Sequence, residues 1–243
     1  MELLPEDPVR LGRFRLRARS AHGWPHLTMY LAEDEDGTIA TVRAPVMLHT
    51  RGPGTARDLV RTEAECLTRM QGTHAPALLG VATLTTGELP WVEASCVHRR
   101  ADAPSSPPAP NLRAVLDEHG GTVPEELFLS IGLGLTEAVA LAHSRGLVHG
   151  SLSPLAVLVT DRDVRLVGWA TATATVDGVD SAHRDVLPLS DTYLEADDDG
   201  RSPTPQSDVY AVGALLLALG SSHVVPTRES RRSGPVRRHP NRP

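Results

Sequence analysis

A serine stands two residues after a histidine in His149-Gly150-Ser151, a pair of side chains of the kind used in nucleophilic catalysis. An imidazole can take a proton from a hydroxyl and leave the oxygen nucleophilic, provided that a third group orients the ring. No G-x-S-x-G elbow surrounds Ser151 and no third group lies near it in sequence, so the pair reads as structural. The 11 histidines raise metal binding. His143 and His149 flank a turn with no carboxylate or cysteine at ligand spacing, and no metal site is expected. Cys66 and Cys96 form no metal or redox spacing and no disulfide framework; they read as core residues of a protein in a reducing, cytoplasmic setting. The Asp197-Asp198-Asp199 run reads as a solvated acidic loop. All 24 basic residues are arginine and none is lysine, which excludes Schiff-base chemistry, a P-loop lysine and a lysine general base.

These groups must be positioned by a chain of 243 residues, 40% hydrophobic, with a formal net charge of −6. That suits one domain, or a domain of two lobes. No unbroken apolar run approaches the roughly 18 residues of a membrane span, and Val209 to Leu219 reads as a buried helix. The N-terminus, with Glu2, Glu6 and Asp7, does not read as a signal peptide. Beyond Gly220 the chain carries six arginines against Glu229 alone, a tail of about +5 on a remainder of about −11. Without interleaved aromatics it reads as a solvated, disordered tail, and no nucleic-acid partner is expected.

The first half alternates with period two. Phe14, Leu16 and Ala18 oppose Arg13, Arg15, Arg17 and Arg19, and Leu27, Met29 and Leu31 repeat the pattern. Asp36-Gly37 suits a tight turn into a strand from Thr38 to Ala44. From Thr55, read as a cap, helical spacing runs through Leu59, Glu63, Leu67 and Met70 to Gly72. Two more strands are expected at Leu78 to Leu84 and Trp91 to Val97. Arg99 to Pro110 is too rich in proline for regular structure and reads as a linker. In the second half a short helix is expected over Leu112 to Glu118. A long one follows Pro124, with Glu125 and Glu126 in its first turn, and stops at Gly146. Ala156 to Val159 and Val164 to Val167 suit a hairpin. A last apolar helix begins near Ser207 or Asp208.

The segment from Gly146 to Leu158 resembles the catalytic loop of bacterial eukaryotic-like Ser/Thr protein kinases, H-R-D-L-K-P-x-N-[IV]-L. His149, Leu152, Pro154, Val157 and Leu158 match it, while Gly150, Ser151, Ser153 and Ala156 replace the arginine, aspartate, lysine and asparagine. In register with that loop, Gly168-Trp169-Ala170 stands where the family has D-F-G. Val42-Arg43 stands where it has its strand lysine, Glu63 where it has the lysine's helix partner, and Ser207-Asp208-Val209-Tyr210 resembles its S-D-V-[WYF] helix. The resemblance implies an α+β, two-lobed protein-kinase-like fold: a small antiparallel β lobe with one main helix over 9–97, a Pro-rich hinge insertion over 98–110, a mostly helical lobe over 111–220 lacking the family's last helices, and the basic tail over 221–243. The missing helices suggest either a shortened scaffold or a reading frame truncated or shifted near Gly220.

Phosphoryl transfer needs clamped phosphates, magnesium to neutralise charge and an oriented hydroxyl. The resemblance puts the magnesium ligands at Gly168 and Ala156, neither with a side-chain oxygen. Ser151 cannot supply the roughly 10²–10⁴-fold of general-base assistance, and Ser153 lacks the charge of the loop lysine. The phosphate-covering loop keeps only Gly23, beside the bulky Trp24 and Pro25. Nucleotide contacts carried over would fall on Gly23, Arg43, Ser95 and Val97, but neither ATP nor magnesium is expected to bind. Arg43 is expected to pair with Glu63, and Leu67, His149, Trp169 and Asp208 take the family's architectural positions. The expected function is that of a pseudokinase, a protein-interaction or regulatory module whose partner is an active kinase or another signalling protein. An atypical kinase drawing on Asp161, Asp163 or Glu65, and a non-functional remnant, are the alternatives.

Overall fold

The computed structural model describes residues 2–20, 27–45, 53–82, 90–174 and 203–220. Gly23 to Pro25, the acidic run at 197–199 and the basic tail at 221–243 lie outside them.

Alternating sequence in the first half yields a six-stranded antiparallel sheet. Its strands are β1 (Arg10–Leu11), β2 (Phe14–Arg19), β3 (Leu27–Glu33), β4 (Ile39–Pro45), β5 (Leu78–Ala82) and β6 (Trp91–Ser95), in the order β1-β2-β3-β4-β6-β5. Asp34 builds the β3–β4 turn by accepting the Asp36 and Thr38 N–H groups at 3.0 and 2.8 Å. Phe14 and Leu16 face inward as their alternation demands, but on β3 the inward residues are Tyr30 and Ala32, while Met29 and Leu31 are half-buried. Cross-strand pairing decides this face, because Leu16 lies opposite Ala32, and Tyr30 opposite Val42.

Helix α1 (Pro53–Met70) buries Leu59, Val60, Glu63, Cys66, Leu67 and Met70 along one stripe. It starts two residues before Thr55, which therefore sits within the first turn instead of capping it.

In the second half, Asn111 caps α2 (Leu112–Glu118) by accepting the Ala114 N–H at 2.9 Å. The long α3 (Glu125–Ser144) follows Pro124 and packs against α4 (Pro205–Gly220). Gly134 lets α3 approach Val164, where any Cβ would come within 3.3 Å. Averaged over its length, α3 is long and apolar enough to cross a membrane, the one such helix among the described residues. In the sequence the longest unbroken apolar run is instead Val209 to Leu219. Ile131, Leu135, Ala138, Val139 and Ala142 place it in the core of this lobe. Helix α4 is not buried throughout: Ala211, Val212, Leu215 and Leu219 are, whereas Val209 and Leu217 are 61% and 66% exposed. Two features escaped the sequence reading. These are the pairing of β7 (Leu147–Val148) with β10 (Thr173–Ala174) and a 3-10 turn at Trp169–Thr171. The hairpin β8 (Val157–Val159) and β9 (Val164–Leu166) lies between them in the chain. The result is a small β lobe with one helix and a mainly helical second lobe, a protein-kinase-like α+β fold.

Candidate functional site

The loop after β7 is organised around one carboxylate. Asp208, 1% exposed in the first turn of α4, accepts the backbone N–H of His149 on Oδ2 and that of Gly150 on Oδ1, both at 2.8 Å. His143 Nε2, from α3, meets the same Oδ2 at 3.0 Å. A charged acceptor shared by two backbone amides satisfies donors that no ladder reaches in this turn. The turn needs such help, since Gly150 has φ +69°. The sequence reading found no carboxylate at ligand spacing for His143 and His149; α3–α4 packing brings Asp208 to the His143 ring from 65 positions away and to the His149 backbone amide from 59.

His149 is fully buried, and its Nε2 donates to the Val167 carbonyl at 3.0 Å. That bond leaves Nδ1 as the acceptor, facing the Ser151 hydroxyl at 3.5 Å, a distance too long for a strong bond. Ser151 is held closer by Thr171, at 2.9 Å between hydroxyl oxygens. A serine 3% exposed, bonded to another hydroxyl beside a ring whose far nitrogen donates to a backbone carbonyl, is not an activated nucleophile. The Trp169 ring lies against His149 with centroids 4.5 Å apart, and its Nε1 donates to Leu166 O at 3.1 Å. Leu67 and Trp169 belong to one buried cluster, α1 packing directly on the 3-10 turn. Leu67, His149, Trp169 and Asp208 thus form a connected interior running from the first lobe to the second.

The remaining loop positions carry no ionisable side chain. Ser153 is 2% exposed and its carbonyl accepts the Ala156 N–H at 2.9 Å, closing a turn. Ala156 is fully buried. Gly168 adopts φ +84° at the start of the 3-10 turn. Among the described residues no group of three or more His, Cys, Asp or Glu is arranged to hold a metal ion.

Within the first lobe, Arg43 of β4 and Glu63 of α1 form a buried ion pair through Nη1 and Oε1. Arg43 is 2% and Glu63 0% exposed. Arg43 Nη2 and Glu63 Oε2 have no hydrogen-bond partner among the described residues. A guanidinium makes the lobe's internal contact here while leaving part of its fork unused. Ser95 accepts the Ala77 N–H on its hydroxyl at 2.9 Å and donates its own N–H to Ala77 O at 2.8 Å. The Val97 carbonyl accepts Ala109 N–H at 2.8 Å. Gly23 lies outside the described residues.

The carboxylates offered as substitutes are engaged elsewhere. Asp161 accepts the Ala101 N–H at 3.0 Å, Asp163 pairs with Arg165 at 2.9 Å, and Glu65 pairs with Arg69 at 3.0 Å. Cys66 is buried as expected of a core residue, but Cys96 is only half-buried. Burial pushes the Cys96 thiol up to about 11 and the Cys66 thiol higher still, so neither is a ready nucleophile.

No family model matches the chain. It is 25% identical over 224 residues to the serine/threonine-protein kinase AfsK of Streptomyces coelicolor, an alignment covering 91% of this chain and 26% of that protein. With the probable serine/threonine-protein kinase PkwA of Thermomonospora curvata it shares 24% identity over 214 residues, 88% of this chain and 27% of the relative. With the serine/threonine-protein kinase PknK of Mycobacterium bovis it shares 32% identity over 130 residues, 49% of this chain and 11% of the relative. The chain thus spans about a quarter of the length of AfsK and PkwA.

Proposed function

We propose that this chain, a relative of the bacterial eukaryotic-like Ser/Thr protein kinases, is a pseudokinase that uses the family's two-lobed fold as a protein-interaction or regulatory module without transferring phosphate. The observation that carries this reading is the contrast within one loop. The groups that hold it, His149, Trp169 and Asp208, make a full set of buried contacts. The positions that would act on phosphate are Ser151, Ser153, Ala156 and Gly168, three of them buried without an ionisable group and the last without a side chain. Preorganised charge is the main source of catalysis in phosphoryl transfer, and these residues provide none.

An interaction role is supported by apolar side chains left in solvent beside the α3–α4 contact. Leu129 and Leu133 of α3 are 60% and 63% exposed, alongside Val209 and Leu217 of α4. These exposed side chains leave apolar surface on both helices available to a partner. The partner expected is a protein, with a reducing, cytoplasmic compartment favoured by two free thiols.

Thermal shift with ATP, with and without Mg²⁺, alongside an autophosphorylation assay, tests the reading. No magnesium-dependent stabilisation and no labelled protein are expected. Stabilisation that requires the metal, together with labelling, would overturn it.

A further inference from the structure

The proline-rich segment between the lobes is not a free linker. His98 and Pro108 form an antiparallel bridge, and Arg99 N–H donates to Pro107 O at 2.8 Å. Ser106 closes the loop: its carbonyl accepts from His98 Nδ1 at 2.7 Å and its hydroxyl accepts the Arg100 N–H at 3.1 Å. This closed loop is fastened to the β8–β9 hairpin. Asp161 N–H donates to Arg99 O at 2.9 Å, Ala101 N–H to Asp161 Oδ1 at 3.0 Å, and Val159 N–H to Pro110 O at 2.9 Å. Arg162 adds a bond to Asp102 at 3.2 Å, and Ala109 packs with Leu158 and Val167 in a small buried cluster that Val97 covers.

The same hairpin is held from the first lobe. Leu166 N–H donates to His74 O at 2.7 Å, and His74 Nδ1 donates to Val164 O at 3.2 Å. Arg165 bonds the Gly72 carbonyl. The 72–77 loop, the hinge at 95–97 and the proline-rich segment meet the hairpin around a cavity of about 200 Å³, lined by Pro76, Cys96, His98, Pro104, Thr160 and Arg165 among others.

We propose that residues 98–110 are a clasp that fixes the angle between the lobes. Rotation about the hinge would draw the 72–77 loop off the hairpin, while the clasp ties the hinge to that hairpin. Both sets of bonds must therefore yield together, which couples the 72–77 loop to the clasp through the hairpin and through the Ala77–Ser95 bonds. The inference depends on the fold and not on whether phosphate is transferred.

Hydrogen exchange followed by mass spectrometry on the full chain tests it. Asp161→Ala removes the acceptor for Ala101 from an exposed turn and leaves the cores untouched. It is expected to speed exchange in 72–77 and 95–98 about five- to tenfold, as loss of one net hydrogen bond implies, with β2 to β4 unchanged. Asp161→Asn keeps an acceptor oxygen and is expected to behave as wild type. Acceleration confined to 98–110 and the hairpin, or spread evenly through β2 to β4, would overturn the proposal.

Discussion

Asp208 holds His149 across 59 positions of sequence, its Oδ2 accepting the His149 amide at 2.8 Å while Oδ1 accepts that of Gly150. Both bonds are buried. Asp208→Ala is expected to cost about 3–5 kcal/mol, since it removes a carboxylate acceptor from two buried backbone amides at about 1–3 kcal/mol each. Asp208→Asn keeps one acceptor oxygen and is expected to cost roughly half as much. Equilibrium urea denaturation of the three proteins checks the order.

The buried Arg43–Glu63 pair predicts an asymmetry between single and double variants. Arg43→Ala leaves the Glu63 charge uncompensated at 0% exposure and should cost about 3–5 kcal/mol. Replacing both residues with apolar ones, as in Arg43→Met with Glu63→Leu, should be close to neutral, because two desolvated charges and two orphaned atoms disappear together. A double-mutant cycle by chemical denaturation measures the difference. A double variant as unstable as Arg43→Ala would refute it.

Gly168→Asp places a carboxylate where the resemblance puts a magnesium ligand. At φ +84° a residue with a Cβ costs about 1–2 kcal/mol, and the added charge enters a buried turn. The variant should melt lower than wild type and gain no magnesium-dependent ATP stabilisation, because Ala156 and Ser151 still offer nothing to the metal or the hydroxyl. Paired thermal-shift scans with and without Mg²⁺ decide this.

Cys96 gives a pH dependence. Burial pushes its folded thiol up to about 11, above the ordinary thiol range. The folded state therefore retains a proton that the unfolded chain releases in that interval, and stability falls as pH rises from 9 toward 11. Cys96→Ala should remove part of that fall and change nothing below pH 8. Denaturant midpoints at pH 7.5, 9.0 and 10.5 provide the measurement.

Several features were legible because they depend on short-range pattern. The Asp36-Gly37 turn, the stripe of α1 and the bounds of α2 follow from local periodicity and capping chemistry. The Arg43–Glu63 pair was expected from resemblance. The inward face of β3 was not legible, because apolar residues occupy both of its faces and the neighbouring strands choose between them. His143 was missed as a partner of Asp208 for a similar reason: nothing in a sequence says that two residues 65 positions apart share an oxygen. The proline-rich stretch was read as a linker because proline excludes helix and strand; it does not exclude backbone and side-chain bonds to a neighbouring hairpin.

By itself the sequence determined which functional groups the chain can offer. Twenty-four arginines and no lysine, with Ser151, Ala156 and Gly168 at the key positions, fix the available functional groups whatever the fold, because a side chain cannot act with atoms it lacks. Only the tertiary structure decided what the remaining groups do. Packing α3 on α4 brings His143 and Asp208 to one loop, and folding 98–110 back on β8–β9 turns a connection into a brace. These outcomes depend on distances between elements far apart in the chain, and packing sets those distances.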